Sequence, residues 1–557
     1  MNRRSAFVIV AALWAAVYLP GLGSTEIKGE EGRRILPAVE MLAHGNWLVP
    51  YVGGEPYLRK PPLMNWAIAL SMKMLGRRDE WAARLPSALA VLALCGVIVA
   101  VSRPRAKSAL TPEVAFVASM FVLAWCGLLA KARFAGAEIE GLYVPLVGSA
   151  MVLWLAWWEQ ARSPCLAWTL PWVPLGFAVL TKGPLHLLFF YALVVAVLWA
   201  AREWRSLLHP AHGVGLALLA IIVAAWAVPF FQTPEAKAAM QVWHDQLVGR
   251  VSENKFDAMG YASNIPRALV DLLPWVLFVP VLWMRRHSWS GREGALVRGT
   301  LLAVAVCFVV LLLIPGVLPR YVLPLGVPLA VLLALAVTEE QVLRPPAPAL
   351  RLWWRTNSGL AIGLLALAVA APPLVVVGEM QRAKAIGEVL GAPAKLLVWP
   401  LFASAAAIVI CLTVFVARRR FARPTRLAGA SVALGGAASM LYAATALPFI
   451  THADNLRPLA AAIDAAIPSG QRLYLFDPEY QPLIFYLRTP YTYAPAIKDL
   501  PATVEFVLAR AGNRKKLVSE RPDLVLAKDF GGAEKNRVLL LQRHGGILND
   551  APPAGGR

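Results

Sequence analysis

The sequence predicts a polytopic α-helical membrane protein with a small α/β domain outside the bilayer. Three observations predict it. Hydrophobic residues make up 58 % of the 557 residues and charged residues only 16 %, against about 25 % charge in an ordinary globular chain. Apolar runs long enough to cross ~30 Å of hydrocarbon recur along the chain. The basic residues gather in short tracts between those runs, such as Arg103–Lys107 and Arg418–Arg420. A cytosolic enzyme, a disordered chain and a collagen-like chain are thereby excluded. The 20 Trp suit a protein with two membrane interfaces to line.

A net charge of +21 would raise nucleic acid as a partner in a soluble protein. Here the cations sit in short loops, where Lys and Arg fix orientation by staying on the cytoplasmic side, and no nucleic-acid partner is expected. Of the five Cys, Cys95, Cys126, Cys307 and Cys411 fall inside apolar runs and Cys165 lies at the edge of one. They read as small packing residues, with no disulfide framework and no metal-ligand spacing.

Spans are expected near 6–22, 84–102, 113–131, 139–159, 166–181, 183–200, 212–230, 269–285, 299–315, 320–337, 359–377, 395–416 and 428–447, thirteen in all. With Asn2-Arg3-Arg4 inside, the basic loops 103–107, 202–205, 285–298, 344–355 and 418–426 then share one side. Counting Pro61–Gly76 as a span would put Arg103–Lys107 outside, so that segment is read as an amphipathic helix in the outer interface. The first run reads as an uncleaved span. An odd count sends the C-terminus outside. The expected organisation is a transmembrane domain over 1–449, with long outer loops at 23–83 and 231–268. An extracytoplasmic α/β domain covers 450–548, and a disordered Pro- and Gly-containing tail covers 549–557. Arg472–Phe476, Asp523–Ala527 and Arg537–Leu541 read as strands, and His452–Ile467 and Ala502–Ala511 as helices.

Chemistry is expected at the outer ends of the spans. The first outer loop carries Glu26, Lys28, Glu30, Glu31, Arg33, Arg34, Glu40, Glu55, Arg59 and Lys60. The third span ends at Lys131-Ala-Arg133, followed by Glu138 and Glu140. Lys182 sits in a tight turn, and Arg320-Tyr321 opens the tenth span. Ionisable groups flush with hydrocarbon are expensive and mark function. Gathered cations read as a phosphate clamp, and a carboxylate among them as a base or charge-orienting group. The plain alternatives are a solvated loop, helix support of the i, i+3 kind for Glu30-Glu31 with Arg33-Arg34, a cap at Lys182 and an interface anchor at Tyr321. No metal is assigned. Glu138-x-Glu140 and His244-Asp245 are the pairs that could hold a divalent cation.

The motifs carry a resemblance. In the first loop they are Glu30-Glu31-Gly32-Arg33, Glu40-Met41-x5-Trp47-Leu48-Val49-Pro50 and Tyr57-x2-Lys60-Pro61-Pro62. Then come Ala82-Ala83-Arg84-Leu85-Pro86-Ser87, Ala132-Arg133-x4-Glu138, Leu180-Thr181-Lys182-Gly183-Pro184 and Pro319-Arg320-Tyr321-Val322-Leu323-Pro324. In order and spacing, over roughly residues 1–340, this resembles the GT-C membrane glycosyltransferases of the protein O-mannosyltransferase and lipid A aminoarabinose transferase group. The resemblance implies a sugar donor on a polyprenyl phosphate, used on the outer face of a bacterial inner membrane with inversion. The acceptor would be a lipid (lipid A-like), a glycan or a protein. The family's two Asp fall on Glu30 and Glu138, which are expected to be catalytic. Arg33, Arg59, Lys60, Lys182, Arg320 and Tyr321 are expected to bind substrate, chiefly the phosphate. Arg59 and Arg34 stand where the family often carries an acidic residue and a Tyr. A transporter or flippase of a lipid-linked sugar is the competing class, but it would place charge near the bilayer midplane and show repeats.

The one-sided charge makes a topology prediction. In a cysteine-free background, cysteines placed near 80 and 500 should react with an impermeant reagent applied outside, and one placed at 106 should not. Labelling at 106 in intact cells would reverse the assigned orientation.

Overall fold

The computed structural model describes residues 2–252, 258–313, 318–339, 348–382, 393–416, 424–446, 456–479, 481–531 and 537–544. The expected tail 549–557 lies outside these. The chain divides into two compact units. One comprises residues 1–24, 59–64 and 84–449; the other comprises 25–58, 65–83 and 450–557.

The first unit is helical. Among the described residues, eight helices are long and apolar enough to cross a membrane, or ten if each of two bent pairs counts as one span. Unbroken members include Glu80–Val101, Glu140–Glu159, Pro210–Phe230, Gly291–Leu311 and Arg351–Val375. The runs expected at 6–22 and 183–200 are the 16-residue helices Arg3–Tyr18 and His186–Ala201. Local chemistry explains their ends. Asn2 caps the first helix by accepting from the Ser5 amide at 2.8 Å, and Thr111 does the same for Val114 ahead of Pro112. Leu63–Leu75 has 13 residues, about 20 Å at ~1.5 Å per residue, too short to cross. Its Leu70 and Met74 are exposed one turn apart, the apolar stripe expected of a helix lying in an interface.

One span is broken. Pro112–Leu123 and Cys126–Phe134 meet at 55°, and Trp125 sits at the break. Its indole Nε1 donates to the Asp271 carbonyl at 2.7 Å. A Cβ on Gly127 would come 2.0 Å from that same carbonyl oxygen, and one on Gly326 would strike the Trp125 ring at 2.3 Å. The two glycines therefore let three elements close around one indole. Ala130–Phe134 then widens into a π-helical turn, closed by the Ala135 amide on the Ala130 carbonyl at 3.0 Å. Such turns interrupt regular helices where side chains must be re-aimed, and this one carries Lys131 and Arg133.

The second unit combines first-loop residues with the C-terminal segment. Its sheet has five strands: β1 (Leu473–Phe476), β2 (Tyr491–Ala494), β3 (Phe506–Arg510), β4 (Leu524–Asp529) and β5 (Val538–Arg543). The order is β2-β1-β3-β5-β4, with β1 parallel to both neighbours and β5 antiparallel to both of its own. Phe506–Arg510 is a strand where the sequence predicts part of a helix. Its run Phe-Val-Leu-Ala is buried on both faces, and a short, wholly apolar run shows no period to separate strand from helix. The two chain segments are joined by hydrogen bonds. The Glu26 carboxylate accepts from the Leu456 and Arg457 amides at 2.7 and 3.0 Å, capping helix Leu456–Ala466 from 430 residues away. Tyr486 donates to Glu80 at 2.7 Å and accepts from the Ile27 amide at the same distance.

Gly127→Ala tests the hinge. The added methyl has no room, and overpacking of this kind costs ~1–3 kcal/mol. The thermal midpoint of the purified protein should fall, while Gly359→Ala, which meets nothing within 4 Å, should not lower it.

Candidate active site

Five elements of the helical unit deliver charge to one place. The π-helical turn supplies Lys131, the turn after it supplies Glu138, and helix Glu140–Glu159 opens with Glu140. Helix Trp172–Lys182 ends on Lys182, and the 3-10 segment Pro319–Leu325 brings Arg320 and Tyr321. Gly141 lies against the Lys131 carbonyl and the Ser87 hydroxyl, and Ser87 donates to the Gly136 carbonyl. The Arg84 side chain crosses Gly136 and donates to the Leu22 carbonyl at 3.0 Å. The Ala-Arg-Leu-Pro-Ser motif thus braces the 135–141 turn and anchors a span end, as its sequence position suggests.

Lys182 Nζ lies 3.0 Å from Glu140 Oε1, both side chains being almost fully buried. Arg320 Nε approaches the same oxygen at 3.1 Å. Its N–H finds no aligned acceptor there, so the contact is an ion pair and not a directed hydrogen bond. Glu138 takes Lys131 at 2.9 Å and Arg320 Nη1 at 3.7 Å. The Lys182 ammonium is also flanked by two aromatic faces, Tyr321 at 4.0 Å and Tyr143 at 4.8 Å from the ring centroids, an electrostatically favourable setting. Burial pushes the Glu138 carboxyl above its ordinary range. Lys131 and Arg320 pull it back, while neighbouring Glu140 adds to the rise.

The sequence-predicted residues distribute as follows. Glu138, Lys182, Arg320 and Tyr321 come together. Arg59 is exposed and Lys60 half-buried, in the segment before helix Leu63–Leu75. Glu30 and Arg33 lie in the other unit and pair with each other at 2.8 Å, an i, i+3 contact, which is the plain helix-support arrangement for those two. The sequence marks Lys131 without a binding role and Glu140 only as half of a pair that could hold a divalent cation, and it does not single out Tyr143. The signal available was the spacing Lys131-x6-Glu138, which spans a turn that no periodicity rule foresees. Among the described residues no group of three or more His, Cys, Asp or Glu is placed to hold a metal ion. Both carboxylates of Glu138-x-Glu140 are engaged by cations of the chain, and His244-Asp245 is exposed on a helix surface.

With this geometry, comparison with known proteins becomes informative. Residues 59–228 match the family model described as dolichyl-phosphate-mannose-protein mannosyltransferase. An undecaprenyl phosphate-alpha-4-amino-4-deoxy-L-arabinose arabinosyl transferase of Edwardsiella ictaluri is 28 % identical over 411 residues, 72 % of either chain. A second such transferase, from Pseudomonas fluorescens, is 26 % identical over 351 residues, and the match spans 61 % of this chain and 61 % of that protein's length. The crystal structure of ArnT from Cupriavidus metallidurans bound to undecaprenyl phosphate superposes with a TM-score of 0.68 at 20 % identity, over 99 % of both chains. The fold is therefore that of a GT-C membrane protein. In sequence the chain is similar to these arabinosyl transferases, and its fold is similar to that of the ArnT crystal structure.

The charge cluster sets the sign of a titration experiment. Lys131→Met and Arg320→Met each remove a cation that stabilises ionised Glu138, so its pKa should rise further. Glu140→Gln removes a like charge, so it should fall. The carboxyl band in pH-difference infrared spectra, assigned with Glu138→Gln, reads all three. An unmoved band in Lys131→Met would show that the pair does not govern Glu138.

Proposed function

We propose that the protein transfers a sugar from a polyprenyl-phosphate donor to a lipid, glycan or protein acceptor on the outer face of the bacterial inner membrane, with inversion at the anomeric carbon. A lipid acceptor of the lipid A kind leads, by analogy with the named relatives. The observation that carries this reading is the cluster in which, among the described residues, Lys131, Lys182 and Arg320 pair with Glu138 and Glu140. Their N–H donors are what an incoming phosphate would share with those carboxylates. The topology proposed with it is thirteen spans, with residues 450–548 outside.

In the reaction the acceptor oxygen attacks the anomeric carbon and the bond from that carbon to the phosphate oxygen breaks. Polyprenyl phosphate leaves with the electron pair. Its negative charge grows in the transition state, so cations fixed in a poorly hydrated place stabilise that state more than the ground state. Lys182 and Arg320 take the phosphate, with Tyr321 holding the ammonium in line, and Arg33, Arg59 and Lys60 contribute further contacts. Glu30 orients or deprotonates the acceptor, and Glu138 holds the sugar or supports Glu30. A transporter is the weaker reading, because the charged groups described here stand at helix ends and turns and not at mid-span.

Two substitutions test the roles. Lys60→Ala should weaken donor binding about ten- to a hundredfold, the worth of one charge-assisted hydrogen bond; unchanged donor affinity would put the phosphate elsewhere. Glu30→Gln keeps shape but removes basicity, so turnover should drop by ~10²–10⁴ while donor binding survives. Glu30→Asp restores the family's residue with an arm shorter by one methylene and should lose activity only in part. Wild-type rates in both Glu30 variants would leave Glu30 as a helix-surface residue.

A further inference from the structure

Asp271 stands apart from the other carboxylates of the helical unit. It ends helix Ala258–Asp271, and the chain turns by 92° into Trp275–Met284. That helix packs on Cys126–Leu129, just ahead of Lys131, and on Pro319–Leu325, which carries Arg320. The Asp271 backbone is pinned: its carbonyl accepts from Trp125 Nε1 at 2.7 Å and occupies the space that Gly127 leaves open. The carboxylate is half-buried and within electrostatic reach of Lys131, Arg320 and Glu140. Yet among the described residues it makes no ion pair and no side-chain hydrogen bond, whereas Glu138 and Glu140 are each held by two cations.

A half-buried carboxylate left without a partner among the described residues, beside a cation cluster, has both oxygens available to a ligand. Folding alone would pair it or leave it in solvent. A free cation would be repelled by the neighbouring Lys131 and Arg320. A phosphate would be repelled by Asp271 itself. A ligand that is anionic at one end and rich in hydrogen-bond donors at the other satisfies both demands, and a sugar phosphate ester is that ligand. We infer that Asp271 is a sugar-binding carboxylate, accepting hydrogen bonds from hydroxyl or amino groups of the donor's sugar while Lys131, Lys182 and Arg320 hold the phosphate joined to it. The inference rests on the polyprenyl-phosphate reading above and adds the group that discriminates a sugar-bearing lipid from the bare lipid phosphate. Bonds from hydroxyl or ammonium donors to a carboxylate are about twice as strong as neutral ones. A site built around such an acceptor rejects ligands that cannot supply the donors.

The test compares binding of three lipids to the full-length protein in nanodiscs: undecaprenyl phosphate, undecaprenyl phosphate glucose, and undecaprenyl phosphate 4-amino-4-deoxyarabinose. Wild type should prefer at least one sugar-bearing lipid over undecaprenyl phosphate. In Asp271→Asn that preference should shrink by about ten- to a hundredfold. Bare undecaprenyl phosphate should bind as before or more tightly, because a negative charge near Lys131 and Arg320 has gone. Asp271→Glu, which keeps the charge, should retain part of the preference. Equal weakening for all lipids would make Asp271 a structural residue, and equal tightening would make it an electrostatic background only; either result overturns the inference. So does a wild type that binds all three lipids alike. A wild type that binds none of them removes the donor reading itself, and this inference with it.

Discussion

The contact on which the helical unit depends is Glu140 between Lys182 and Arg320. It ties together the start of one span, the end of a second and the entry to a third, at points where each helix would otherwise end in an uncompensated charge. Taking these groups out of water costs several kcal/mol per ion, and removing one partner of such a pair leaves the other stranded at ~3–5 kcal/mol. The arrangement therefore holds only if all three elements arrive together. The tight turn after Lys182 and the 3-10 course of Pro319–Leu325 serve that requirement. A regular helix through either place would carry the cation away around the helix axis.

The broken span answers a second demand of the same cluster. A straight continuation of Pro112–Leu123 could not bring Lys131 to Glu138 and also leave room for the Asp271 carbonyl. The break at Trp125, the missing side chain at Gly127 and the wider turn of Ala130–Phe134 solve this with one indole as pivot. The residues that look most like packing therefore set the positions of the residues that look most like chemistry.

How much was legible in the sequence follows from the range of the forces involved. Spans are dictated by local hydrophobicity, so most apolar runs reappear as helices within a few residues. Lys182, Arg320 and Glu138 stood out because ionisable groups at hydrocarbon level are conspicuous by type alone. Phe506–Arg510 was misread because burial on both faces erases the period that distinguishes strand from helix. The pairing of Lys131 and Glu140 with other cations and carboxylates is not legible in sequence, since their partners lie across turns. The capping of helix Leu456–Ala466 by Glu26 links segments 430 residues apart, and nothing local announces it. Asp271 falls inside the expected span 269–285 and attracts no notice in sequence; that it has no partner among the described residues is visible only in three dimensions.

The same carboxylates that permit the cations to be buried also limit what those cations can bind. While Glu140 holds both Lys182 and Arg320, and Glu138 holds Lys131 and the other side of Arg320, a phosphate gains only the charge those two leave over. It must also displace or share existing contacts. That favours an anion whose charge increases as it leaves over one that merely docks. Uniformly tight binding of the donor would deepen the ground state without lowering the barrier, whereas attraction that grows with the departing charge lowers the barrier itself. A cluster of three cations without the two carboxylates would bind phosphate more strongly and release polyprenyl phosphate more slowly. On the proposed reading, Glu138 and Glu140 are the groups that keep the clamp from closing permanently on its product.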